Sequence, residues 1–142
     1  MMKRTFVVSL VLFLTACATT TVQTESPQTA VNAFLTALDK GDVAIADLFT
    51  EDATVFLPMN NQPLRVNGRE EIRTAFAALF GPGYRGGMPQ PQDLRVQEMG
   101  DAAVVTFQIV NPNVTSRRTF VLRREAGRWR IAHLHGSNIR KD

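Results

Sequence analysis

The sequence predicts a single α+β domain in which helices pack on one face of an antiparallel sheet. Two observations predict it. Apolar residues recur at helical spacing in the first half of the chain, and after residue 94 they occur in strand-like runs separated by short turns. Strands joined by short turns pair antiparallel, so we expect the helices to cover one face of the sheet.

Three helices are predicted, each from a start signal followed by apolar residues at helical spacing. The first begins at Ser26-Pro27, an N-cap followed by a proline in the first turn, and ends at Gly41. Asp42 caps a second, shorter helix. The third begins in the segment 67–70, where a cap is followed by a glutamate, and ends in the Gly-Pro-Gly sequence at 81–83.

Six strands are predicted from β-rich or alternating segments. They cover residues 53–57, 63–66, 94–99, 102–110, 114–124 and 128–138. The glycine- and proline-rich segment 81–91, before the main run of strands, carries the chain's only tyrosine, Tyr84. This segment is long enough to cover the mouth of a cavity, although such loops are more often simply mobile.

The first residues have the form of an export signal. Lys3 and Arg4 precede an apolar run, 6–14, that is too short to span a bilayer. The run ends in Leu-Thr-Ala-Cys at 14–17, which resembles the lipobox of bacterial lipoproteins. We therefore predict a signal peptide at 1–16, a lipidated Cys17 with a flexible tether at 17–26, and a folded domain at 27–142.

The lipoprotein resemblance also implies a location. Ala18 stands where an aspartate would favour retention in the inner membrane, so the resemblance implies a lipid anchor in the outer membrane, facing the periplasm. Cys17 is the only cysteine, which leaves the mature domain without a disulfide. The net charge of +3 includes Lys3 and Arg4, and no basic run is interleaved with aromatic residues. Nucleic acid is therefore not expected as a partner.

Four segments together resemble the SnoaL-like branch of the nuclear-transport-factor-two-like superfamily. They are LDKGD at 38–42, FTEDATV at 49–55, NGREEI at 67–72 and GRWRIAHLHGS at 127–137, and the resemblance extends over residues 28–139. It implies a cone-shaped half-barrel of the cystatin-like α+β roll type, with one cavity and commonly a homodimer formed through the outer face of the sheet. It leaves the activity open, because relatives include isomerases, cyclases, dehydratases and non-catalytic proteins.

One activity of the family is rejected from the sequence. Ketosteroid isomerases carry an aspartate base just before the proline of a motif that here reads DATVFLP at 52–58, which places Leu57 at the base position. The tyrosine of their first helix corresponds to Phe34, and no acidic residue lies between Asp101 and Glu125. Proton abstraction next to a ketone needs a base and an oxyanion donor together. We therefore do not expect ketosteroid isomerase activity.

The last predicted strand carries both histidines of the chain. With a period of two, Trp129, Ile131, His133, His135 and Ser137 share one face, and its apolar start predicts that this face points into the cavity. The two imidazoles could then act as acid and base, bind a metal, or serve as hydrogen-bonded wall residues.

A metal site would need a third ligand. Asp52 is the best carboxylate candidate, and it would serve equally well to close the preceding turn. We therefore predict neither a metal nor a cofactor.

Six arginines cluster along the last two predicted hairpins. They are Arg117, Arg118, Arg123, Arg124, Arg128 and Arg130. They could form a patch for an anion or a lipid head group on a membrane-held protein. We favour the alternative of a solvated strand face whose charges discourage edge pairing.

The function favoured by the sequence is capture of a small apolar or amphipathic molecule in the cavity, without catalysis, by an envelope lipoprotein. The candidate pocket residues are His133, His135, Ser137, Trp129, Asp52, Phe56, Phe76 and Phe107. The alternative is a SnoaL-like enzyme of the cyclase, dehydratase or isomerase type that uses His133 or His135 as acid or base. A weaker alternative is an interaction protein whose filled core leaves no cavity.

Overall fold

The computed structural model describes residues 25–57, 65–87 and 90–140. The predicted signal peptide, Cys17 and nearly all of the predicted tether lie outside these ranges, so lipidation stays a prediction. Within the described ranges, none of the helices is long and apolar enough to cross a membrane.

Three helices occur where the capping signals place them. Helix α1, Pro27–Lys40, begins at Ser26, whose hydroxyl accepts a hydrogen bond from a backbone N–H at 3.1 Å, and ends at Gly41 in the left-handed conformation. A 3₁₀ helix, Val43–Leu48, follows the Asp42 cap, and helix α2 is Arg69–Leu79. The second helix is thus tighter than an α-helix.

In the part of the chain that the structure describes, six strands form one curved, unclosed sheet. They are β1 Phe49–Phe56, β2 Val66–Asn67, β3 Gln92–Met99, β4 Ala102–Val110, β5 Val114–Glu125 and β6 Arg128–Arg140. Their order is β2-β1-β6-β5-β4-β3. Adjacent strands of this sheet pair antiparallel, except that β1 and β6 pair parallel. The predicted α+β class, with three helices packed on a bent sheet, is confirmed.

A cluster of phenylalanines fixes the helices to one face of the sheet, which we call the inner face. Phe34 of α1 meets the rings of Phe49, Phe76 and Phe120 at centroid distances of 6.0, 6.0 and 5.0 Å, each near edge-to-face. Phe107 of β4 stacks on Phe120 of β5 at 5.5 Å. Helices and sheet therefore share one aromatic core.

A β-bulge in β6 reverses which of its side chains face the core. Val121 of β5 pairs with His133, but the next residue, Leu122, pairs with Ile131, so Ala132 is an extra residue in β6. Trp129 and Ile131 are buried before the bulge, and Leu134 and Gly136 are buried after it. The prediction that one period-two face runs unbroken from Trp129 to Ser137 is therefore wrong.

Candidate functional site

A cavity of about 210 Å³ lies between the helices and the inner face of the sheet. Its walls are Phe34, Leu38, Phe56, Leu57, Phe76, Leu79, Tyr84, Arg118, Leu134 and Gly136. Both α-helices, the loop after α2, and three strands of the sheet contribute to them. The lining is apolar apart from one phenol and one guanidinium.

The phenol of Tyr84 is held in place at the cavity wall. Its hydroxyl donates a hydrogen bond to the carbonyl of Leu38, near the end of α1. Burial, and secondarily the charge of Asp39, raises the pKa of Tyr84 above its ordinary value. Tyr84 is therefore a neutral phenol whose proton is already engaged. The glycine- and proline-rich loop does contribute a wall of the cavity through this side chain.

The guanidinium of Arg118 is the charged group of this lining. Arg118 lies on β5 directly opposite Phe107 and Gly136. Its Nη1 donates to the backbone carbonyls of Arg117, at 3.0 Å, and Ser137, at 3.5 Å. Burial lowers the pKa of Arg118 from its ordinary value, and the side chain stays cationic at neutral pH.

The predicted site residues separate into three groups. Phe76 and Phe56 line the cavity. Trp129 and Phe107 are buried on the inner face but lie in the packed core, outside the lining of the cavity. The polar candidates, His133, His135, Ser137 and Asp52, do not line it either, and the prediction that the histidines point inward is wrong. The bulge at Ala132 is the reason, since it shifts the phase of the strand by one residue.

The two histidines lie on the outer face of the sheet, away from the helices. His133 Nδ1 is 2.7 Å from Thr54 Oγ1. Phe56, the last residue of β1, borders the cavity and also lies beside both imidazoles, with ring centroids 5.7 Å from His133 and 5.6 Å from His135. Burial, and secondarily the charge of His135, lowers the pKa of His133. The histidine that is hydrogen-bonded thus favours its neutral form.

The remaining polar candidates do not complete a catalytic or metal site with the histidines. Ser137 and His135 share a surface groove with Arg117 and Thr119. Asp52 is exposed and pairs with Arg123 at 3.0 Å, and this hydrogen bond lowers the pKa of its carboxyl. Within the part of the chain that the structure describes, no group of three or more histidine, cysteine or acidic residues could hold a metal.

The two positions used to reject isomerase chemistry both lie at the cavity. Leu57 stands where the resemblance implies an aspartate base, and Phe34 stands where it implies a tyrosine. Their side chains cannot take up or donate a proton. The cavity wall therefore offers hydrophobic contact at the positions where that chemistry would need polar groups.

Comparison with known proteins agrees with this architecture. Residues 28–141 match the family described as the SnoaL-like domain. The chain belongs to this family. No curated protein sequence matches this SnoaL-like chain.

Solved structures similar to this SnoaL-like chain share its fold at low sequence identity. A nuclear-transport-factor-two-like protein of unknown function from Pseudomonas putida is 21% identical, with a TM-score of 0.67 over 78% of this chain and 82% of that chain. A proposed ketosteroid isomerase from Parabacteroides distasonis is also 21% identical, with a TM-score of 0.66 over 84% and 92%. An uncharacterised protein with a cystatin-like fold from Caulobacter vibrioides is 17% identical, with a TM-score of 0.64 over 79% and 86%.

Sequence reasoning missed Arg118, Leu134 and Gly136 as cavity residues of the SnoaL-like domain. A signal for Arg118 was present, because it alternates with Phe120 and Leu122, which are buried in the core. Its position among neighbouring arginines predicts a solvated strand face instead. No comparable signal existed for Leu134 and Gly136, since a bulge leaves no reliable mark in the pattern of a single sequence.

Proposed function

We propose that this SnoaL-like domain captures a small apolar or amphipathic molecule in its interior cavity, without catalysis. One observation carries the proposal: a cavity of about 210 Å³ remains inside the core, walled by phenylalanine and leucine side chains. Apolar cavities cost stability when nothing fills them, and they bind apolar molecules of matching size. A ligand would therefore gain dispersion contacts with these apolar walls.

The enzyme alternative loses its main support. His133 and His135 were its acid and base, and they lie on the opposite side of the sheet from the cavity. The polar groups at the cavity wall are a neutral phenol and a cationic guanidinium, and neither is a base at neutral pH. The interaction-protein alternative required a filled core, which the cavity argues against.

We further propose that the domain works at the cell envelope. The predicted signal peptide and lipidation of Cys17 would anchor it in the outer membrane on the periplasmic side, where apolar molecules pass. A homodimer through the outer face of the sheet, as the resemblance implies, would leave the cavity accessible, because the cavity lies on the inner face. The outer face, through which this dimer would form, carries half-buried side chains, among them Val104 and Val121.

The test uses two neighbouring positions of β6 that face opposite sides. Gly136 lines the cavity, so Gly136→Val places a side chain in it, whereas Ser137→Val adds the same group to the outer face. We expect indole, a small neutral apolar probe, to bind the wild type and the Ser137→Val variant, and binding to Gly136→Val to fall about tenfold or more. Saturation-transfer NMR on residues 26–142 measures the binding of indole to each protein.

Circular dichroism establishes that both variants are folded. Equal binding of indole to wild type and Gly136→Val would place the probe elsewhere and reject the cavity as the site. No binding of indole to any form would count against capture of apolar molecules altogether.

A further inference from the structure

Arg118 is a positive charge that the fold places at the wall of an apolar cavity. Along β5 it alternates with Phe120 and Leu122, which are fully buried, so its side chain leaves the strand on the inner face. Arg118 is partly buried, so its guanidinium has lost part of its hydration, and this loss lowers its pKa. A desolvated charge is costly unless something compensates it.

Among the described residues, no carboxylate pairs with this guanidinium. Three other arginines have acidic partners: Arg69 pairs with Glu51, Arg73 with Asp47, and Arg123 with Asp52 and Glu125. Across residues 25–57, 65–87 and 90–140, Arg118 makes no ion pair, and its hydrogen bonds are those of Nη1 to two backbone carbonyls. Arg118, which is partly buried, thus has no carboxylate partner among the described residues. Arginines are rarely buried unless they are paired.

The surroundings of Arg118 leave room for an anion. The residue directly opposite on β6 is Gly136, which also lines the cavity. Glycine within a strand is unfavourable, and it often marks a place where a ligand approaches the backbone closely. The Nε and Nη2 of Arg118 make no hydrogen bond to the described residues, and a guanidinium edge with free donors matches the two oxygens of a carboxylate.

The size of the cavity limits the rest of the ligand. A cavity of about 150 Å³ is sufficient for benzene, and the pockets of drug-sized ligands begin at about 300 Å³. The present cavity, at about 210 Å³, falls between these. It would hold one ring or a short alkyl chain with a small polar head, and it is too small to enclose a whole phospholipid.

We infer that the ligand is a small monocarboxylate with an apolar body, whose carboxylate pairs with Arg118 while the body packs against Phe34, Phe76 and Leu134. This inference rests on the proposed capture function and specifies the chemical class that the cavity selects. The carboxylate would supply a counterion for the guanidinium of Arg118. The apolar walls would disfavour the binding of more polar acids.

The test compares an acid with its neutral analogue. The probes are 3-phenylpropanoate and 3-phenylpropanamide, and binding is measured by saturation-transfer NMR on the full chain as isolated from expressing cells. We expect the wild type to bind the acid about tenfold or more tightly than the amide, because a hydrogen bond to a charged group contributes more than a neutral one. Arg118→Gln should remove this preference, and Arg118→Lys should retain part of it.

Arg117→Gln is the matched control, because Arg117 is adjacent in sequence but borders the groove on the outer face. It should keep the preference for the acid. Equal binding of acid and amide to the wild type would overturn the inference without needing any variant, and so would a preference that survives in folded Arg118→Gln. If indole still binds in those cases, the capture function stands and only the carboxylate assignment fails. If indole also fails to bind, both fail.

Discussion

His133 illustrates how one side chain on the outer face responds to its surroundings. Its Nδ1 is 2.7 Å from the hydroxyl of Thr54, and the ring of Phe56 covers part of it. Burial, with a smaller contribution from the charge of His135, lowers the pKa of His133 below its ordinary value of 6.5. The unfolded chain therefore binds a proton at this position at a higher pH than the folded chain does.

This linkage predicts a pH dependence of stability. Because the unfolded state takes up the extra proton, the free energy of unfolding should be unaffected by His133 above about pH 6.5 and should fall as the pH drops below it. Urea denaturation at pH 7.5 and 5.5 measures the change. His133→Gln should lose less stability between these two values than the wild type. His135→Gln, which keeps His133, should retain most of the wild-type loss, and an equal loss in all three proteins would contradict this account.

At the scale of elements, the loop after α2 is tied to the end of α1. Tyr84 donates its hydroxyl hydrogen to the carbonyl of Leu38, and the N–H of Gly87 donates to a carboxylate oxygen of Asp39 at 2.5 Å. Gly86 lies so close to α1 that a Cβ there would be 2.0 Å from the carbonyl oxygen of Asp39. The loop can hold Tyr84 at the cavity wall only while this position lacks a side chain.

Gly86→Ala should therefore loosen the loop. We expect a loss of about 1–3 kcal/mol in the free energy of unfolding, as for other substitutions that force atoms into occupied space. Indole should also bind more weakly, because Tyr84 moves with the loop. Urea denaturation gives the stability, with Arg85→Ala, at an exposed neighbouring position, as the control that should change neither quantity. Wild-type stability in Gly86→Ala would show that the loop does not depend on this contact.

The elements were predictable from the sequence because their signals are local. Ser26 and Asp42 cap helices as expected, and the alternating run of β4 faces the core through Ala103, Val105 and Phe107. The side-chain orientation in β6 was not predictable, because the bulge at Ala132 is set by pairing with β5. The same limit applies to the parallel pairing of β1 with β6, which depends on contacts distant in sequence.

At the scale of the whole molecule, the fold separates two kinds of surface. The inner face and the helices border an apolar cavity with Arg118 at its wall, and the outer face presents the histidines and Arg123, which pairs with Asp52. Arg118 and Arg123, which belong to one cluster in the sequence, therefore have different surroundings. The family resemblance predicted the cavity, but its chemical character depended on which strand residues point inward.

If the domain captures a ligand, its cavity holds a small organic molecule in the living cell. Native mass spectrometry of the protein isolated from its own host's envelope fraction tests this most directly, beside the Gly136→Val variant isolated in the same way. We predict one small organic mass on the wild type that is absent from the variant. A wild type that carries no small molecule, or a mass retained equally by Gly136→Val, would contradict capture in this cavity.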